Sequence, residues 1–165
     1  MITLNSTSTS ETKEYGKMLA SHLKKGDVIV LTGDLGAGKT MFTSGLLSYW
    51  GKENEASSPT FTIINEHNLS NDLKLFHFDV YRFDYEEEFL AIGGEEFFNE
   101  GICLIEWGEK INSYLPKEYI KIKIEKDTED INKRIITLET KSEKYNNILN
   151  EVYKNENTCS WYFGA

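Results

Sequence analysis

Eight consecutive residues carry the densest chemistry in the chain: Gly33-Asp34-Leu35-Gly36-Ala37-Gly38-Lys39-Thr40. A glycine, four residues and then Gly-Lys-Thr is the spacing of a phosphate-binding loop, provided that a strand precedes it and a helix follows. At average residue usage such an octet arises by accident in well under about 1% of chains this long. The glycines let successive backbone N–H groups converge on the β- and γ-phosphates of a nucleotide at a helix N-terminus, where the dipole already favours anions. Lys39 adds a cation, and Thr40 is spaced to set its hydroxyl on a Mg2+ that bridges those phosphates.

Such a site needs a carboxylate to complete the metal shell. Glu106 directly follows the apolar run Ile102-Cys103-Leu104-Ile105, so it would project at the carboxyl end of a buried strand, where ligands collect in open α/β sheets. The alternative is an ordinary surface carboxylate. Asp79 closes the run His77-Phe78-Asp79 and is a candidate to orient or deprotonate an attacking water; it could instead back the metal or cap a helix. Ser58-Pro59-Thr60 lies in a polar loop, where a segment sensing the γ-phosphate would sit. Thr60 either meets metal or phosphate through its hydroxyl or belongs to a simple turn. Trp107 reads as packing.

Elements of the right kind flank these residues. Val28-Ile29-Val30-Leu31 is an unbroken apolar run, as in a strand covered on both faces, and a helix is expected from about Gly38 to Trp50. Upstream, Ser8 and Glu11 have capping-box spacing, and Tyr15, Met18, Leu19, His22 and Leu23 make one apolar helix face. Downstream, Phe61–Ile64 and Leu73–Phe78 flank a polar turn and predict an antiparallel hairpin. A short helix is expected over Glu86–Ile92, and Tyr119–Ile124 should pair with Arg134–Leu138. A last helix is expected around Tyr145–Val152. Strands alternating with helices around a buried parallel core, plus hairpins, predict an α/β sandwich of mixed sheet.

With 165 residues the chain suits about one domain: a single unit over 1–153 and a C-terminal tail over 154–165. The formal charge of −9 argues against gripping nucleic acid alone, because that affinity comes mainly from neutralising phosphates with Lys and Arg. The excess is concentrated: residues 1–52 carry +2, 53–109 carry −12 and 110–165 carry +1. The two cysteines, Cys103 and Cys159, have neither disulfide-framework nor zinc spacing, which suits a reducing cytosol. The first residues lack a signal-peptide pattern and no apolar run reaches bilayer length. A cytoplasmic protein with no membrane association is expected.

Taken together, the phosphate loop, Ser58-Pro59-Thr60-Phe61, His77-Phe78-Asp79-Val80-Tyr81-Arg82 and Ile105-Glu106-Trp107 resemble, in order from about Ser8 to Pro116, the bacterial TsaE family. These are small ATPases required for threonylcarbamoyladenosine (t6A) modification of tRNA. The resemblance implies a P-loop NTPase-like three-layer α/β sandwich with a mixed, mainly parallel central sheet and a C-terminal antiparallel hairpin. It implies ATP and Mg2+ as cofactors and slow, partner-stimulated ATP hydrolysis. The loop residues from Gly33 to Thr40 would hold the phosphates, with Lys39 also a catalytic residue. Thr40 and Glu106 would hold the metal, Thr60 would belong to a switch loop, and Asp79 would be the hydrolysis-linked carboxylate. Ser6 or Thr7 would lie near adenine. The implied partners are the TsaB and TsaD proteins, which act on adenosine 37 of tRNAs reading ANN codons, so tRNA is met only through the complex.

Rival readings fit less well. A GTPase should carry an Asn-Lys-x-Asp guanine reader, and Asn132-Lys133-Arg134-Ile135 lacks the Asp. A small-molecule kinase commonly neutralises developing charge with cationic residues, yet neither arginine, Arg82 or Arg134, sits in an evident lid. A nucleotide-gated interaction module remains compatible with the family reading.

Overall fold

The apolar run before the phosphate loop forms β2 (Val28–Thr32), and all five of its residues are buried. Six further strands join it in the computed structural model, which describes residues 1–159: β1 (Ile2–Ser6), β3 (Ile64–Asn68), β4 (Lys74–Asp79), β5 (Ile102–Glu106), β6 (Ile120–Lys126) and β7 (Arg134–Glu139). The sheet order is β1-β7-β6-β2-β5-β4-β3. The four central strands β6, β2, β5 and β4 run parallel, while β1, β7 and β3 join antiparallel at the two margins.

Alternate residues of the central strands feed two cores, as the pleat requires. Ile29, Leu31, Leu75, Ile102 and Leu104 face α1 (Thr9–Ala20), α2 (Lys39–Ser48) and α4 (Glu143–Cys159). Val28, Phe76, Phe78, Cys103 and Ile105 face α3 (Glu87–Ala91) and the turn carrying Ile111. The result is a three-layer α/β sandwich. Cys103 sits in the second core, where burial pushes its thiol up to about 12; it is a packing residue.

Local signals explain several element ends. Ser8 Oγ accepts the Glu11 backbone N–H at 3.1 Å, which caps α1. The reciprocal bond of a capping box shifts by one residue, since the Glu11 carboxylate takes the Thr7 N–H at 2.6 Å and the Thr7 hydroxyl at 2.9 Å. Helices α1 and α2 approach backbone to backbone at Gly45, where a Cβ would overlap the Lys13 carbonyl.

The hairpin expected from Phe61 onward begins later. The Ile63 N–H donates to Pro59 O at 2.7 Å, and Ile63 has φ 68°. Residues 59–63 are therefore a turn and pairing starts at Ile64. Helix α4 runs to Cys159, and the remainder of the expected tail, including Trp161, lies outside the described residues. Among the described residues no helix is long and apolar enough to cross a membrane.

Candidate functional site

Parallel pairing brings the candidate residues to one edge. In register, Leu31 of β2 lies beside Glu106 of β5, and Glu106 beside Asp79 of β4. The chain leaves β2 into the phosphate loop one residue after Thr32, so both carboxylates stand next to it at the carboxyl ends of the strands. Around this edge lies a cavity of about 680 Å3, bordered by Lys39, Thr40, Thr60, Asp79 and Glu106.

Within the loop, Leu35, Gly36, Gly38, Lys39 and Thr40 border the cavity. Gly33, Asp34 and Ala37 build the turn behind them: the Ala37 N–H donates to Asp34 O at 3.0 Å. Gly33 has φ 140°, and a Cβ there would overlap the Ile124 carbonyl, so both backbone conformation and close packing demand glycine. Lys39 is largely buried, with Nζ donating to Gly33 O at 2.6 Å and Asp34 O at 3.1 Å. A bound phosphate would offer that ammonium stronger acceptors than neutral carbonyls.

Asp79 anchors the Ser58–Thr60 segment. Its Oδ2 accepts the Ser58 hydroxyl at 2.6 Å and the Thr60 hydroxyl at 2.7 Å, and Oδ1 accepts the Tyr81 N–H at 3.0 Å. Glu106 is 3% exposed and its Oε1 accepts His77 Nε2–H at 2.9 Å.

Several cavity residues went unrecognised in the sequence. Trp107 does more than pack: it sits at φ 62°, a costly conformation for a bulky residue, which lays its ring 4.7 Å from Lys39 Nζ and 5.1 Å from the Tyr81 ring. Arg134 also borders the cavity, together with Ile131 and Asn132 of the β6–β7 connection. Its Nε donates to Ala37 O at 2.7 Å, and one terminal nitrogen to Ile131 O at 2.6 Å, so it ties that connection to the phosphate loop. No local spacing could have signalled a contact across 97 positions. Of the two residues expected near adenine, Thr7 borders the cavity, whereas Ser6 is buried and bonded to Ser8 O and the Thr12 hydroxyl.

A phosphate-loop octet between a buried parallel strand and a helix, with carboxylates on the two neighbouring strand ends, defines a P-loop α/β protein. Comparison with known proteins agrees and narrows it. The family described as "Threonylcarbamoyl adenosine biosynthesis protein TsaE" matches residues 6–136. The tRNA threonylcarbamoyladenosine biosynthesis protein TsaE of Bacillus subtilis (strain 168) is 42% identical over 147 residues, covering 89% of this chain and 90% of its own. Its counterpart in Treponema pallidum (strain Nichols) is 40% identical over 120 residues, 72% of this chain and 87% of that one. The crystal structure of Bacillus subtilus YdiB superposes with a TM-score of 0.74 at 34% identity, covering 94% of this chain and 95% of that chain. The chain belongs to the TsaE family of threonylcarbamoyladenosine biosynthesis proteins.

Proposed function

We propose that this protein binds and slowly hydrolyses Mg-ATP in the cavity at the carboxyl edge of the sheet, in support of t6A modification of tRNA. The observation that carries the reading is the convergence of Lys39, Thr40, Asp79 and Glu106 on that cavity, within a family named for this biosynthesis. The donor set suits Mg2+: a hydroxyl and carboxylates are hard oxygen ligands, and Mg2+ is usually held by one or two carboxylates with the rest of its shell from phosphates and water. Thr40 and Glu106 would hold it, and when bound it would neutralise charge on the β- and γ-phosphates.

The chain's own groups supply the remainder. Loop N–H groups and Lys39 cradle the phosphates. Thr60 and Ser58, held by Asp79, form the segment placed to respond to the γ-phosphate, and Asp79 orients the attacking water once those hydroxyls are drawn toward the nucleotide. Thr7, Ile131 and Asn132 border the far part of the cavity, where the base would lie. The proposed partners are TsaB and TsaD, with tRNA reached only through them, in the cytoplasm.

The test is genetic and chemical. Cells depleted of this protein should lose t6A from bulk tRNA and regain it with the wild-type chain but not with Lys39→Ala. An unchanged t6A level on depletion would sink the pathway assignment. Phosphate release from ATP should be slow for the chain alone and faster with TsaB and TsaD; tight ATP binding without turnover under either condition would leave a nucleotide-gated module.

A further inference from the structure

Glu106, the carboxylate proposed to meet Mg2+, has a built support behind it. His77 and Glu106 lie diagonally on neighbouring parallel strands, since His77 is in register with Leu104 and Asp79 with Glu106. Both side chains are essentially fully buried, 1% and 3% exposed, and His77 Nε2–H donates to Glu106 Oε1 at 2.9 Å. Among the described residues, His77 is the side chain that hydrogen-bonds this carboxylate. One carboxylate oxygen is thereby held, and the Glu106 side chain stands at the border of the cavity. Behind His77 stands His67, ring centroids 6.4 Å apart, and His67 is itself pinned by Nδ1 to Glu55 Oε2 at 3.1 Å.

This arrangement has a stability cost that packing alone does not explain. His77 Nδ1 and His67 Nε2 are both buried and meet no hydrogen-bonding partner among the described residues. The same sheet face is filled on either side by Leu75 and Leu104, and an apolar side chain at position 77 would remove the orphaned Nδ1 there. Breaches of local rules of this kind concentrate at functional sites. Ligands to metals are commonly oriented by hydrogen bonds from behind, and losing such a bond typically weakens metal affinity 10–100-fold.

We propose that His77 is the positioning residue of the metal carboxylate, fixing the Glu106 side chain so that its free oxygen faces Thr40 and the nucleotide phosphates. The inference rests on the Mg-ATP reading above and deepens it.

The experiment titrates Mg2+ against binding of a non-hydrolysable ATP analogue by calorimetry, with a parallel titration in EDTA. In His77→Leu the Mg2+ needed for half of the metal-dependent gain in affinity should rise roughly tenfold or more, while affinity in EDTA stays at the wild-type value. His77→Gln, whose amide nitrogen reaches the place of Nε2, should restore the wild-type response, and His77→Asn, whose amide is shorter, should not. Should His77→Leu fail to fold, the Gln and Asn pair decides, and an equal metal response in the two overturns the proposal. A wild-type Mg2+ response in His77→Leu, or an equal loss with and without metal, overturns it alone. A wild-type protein whose nucleotide affinity ignores Mg2+ overturns the Mg-ATP reading and this inference together.

Discussion

The state of single side chains suggests how the site works. Lys39 rests on two carbonyls of its own loop, and Thr60 rests on Asp79. Both contacts are ones that a triphosphate would compete for. Thr60→Val keeps the side-chain shape and removes the hydroxyl, so it tests the proposed switch role. A hydrogen bond to a charged group is worth about 1.5 kcal/mol or more, which corresponds to roughly tenfold in rate. Thr60→Val should therefore slow ATP hydrolysis about tenfold while nucleotide affinity, by calorimetry, moves less than about threefold. An affinity loss as large as the rate loss would make Thr60 a binding residue only.

Among the elements, α4 is the last in sequence, and a buried acid fastens it to the body of the fold. Asp27, fully buried before β2, accepts the Lys24 N–H at 2.8 Å, Lys144 Nζ at 2.5 Å and the Tyr145 hydroxyl at 2.9 Å. Asp27→Ala would strip all three donors of their acceptor and should cost about 3 kcal/mol in urea denaturation. The network also sets an alkaline limit. Burial pulls the Lys144 ammonium down, but the hydrogen bond and charge of Asp27 outweigh it and hold its pKa above the usual 10.5. Burial and the Asp27 charge push the Tyr145 phenol above its usual 10.0. Both groups are raised on folding, so their stabilisation is complete below those ordinary values and is lost as pH climbs past them. Stability measured from pH 9 to 11.5 should fall less steeply in Asp27→Ala than in wild type; Cys103 drives a decline of the same sign in both proteins. Parallel curves would remove Asp27 as the cause.

Across the whole molecule, carboxylates of the acidic middle third stand in different settings. Asp79 and Glu106 belong to the cavity. Others serve the fold: Glu88 accepts the Asp84 and Tyr85 N–H groups, Glu86 the Ser113 N–H, and Glu66 pairs with Lys74. Glu87, Glu95 and Glu96 are among the exposed carboxylates and cluster around α3, on the face opposite α1 and α2. The acidic cluster Glu86-Glu87-Glu88 and Glu95-Glu96 is a candidate partner-facing surface, and since Glu86 and Glu88 hold backbone N–H groups, we propose Glu87, Glu95 and Glu96 as its part open to a basic surface on TsaB or TsaD. Reversing the three to Lys should weaken that association about tenfold or more at low salt and leave ATP affinity unchanged. Because exposed charges are screened beyond about 8 Å at 0.15 M salt, raising ionic strength should narrow the gap between wild type and variant. Equal partner affinity at low salt would move the interface elsewhere.

Features that rest on neighbours in the chain can be read from residue order. The phosphate loop lies in eight contiguous residues, the α1 cap in Ser8 and Glu11, and β2 and β5 in apolar runs whose burial on both faces leaves them few alternatives. The place of Glu106 and Asp79 at the cavity edge was legible because each ends a buried strand, and strand direction alone puts the last residues of parallel strands at one edge. Where a local signal competed, it misled: Phe61 to Ile63 look strand-like, but Pro59 starts a turn that delays pairing to Ile64. Tertiary structure alone decided which strands became neighbours. That choice set Asp79 beside Glu106, put His77 against the Glu106 carboxylate, and carried Arg134, Ile131 and Thr7 to the cavity through β1 and the β6–β7 hairpin. The physical reason is that sheet order and register come from hydrogen bonding and packing between segments many tens of residues apart, for which hydrophobic period and local spacing carry no address.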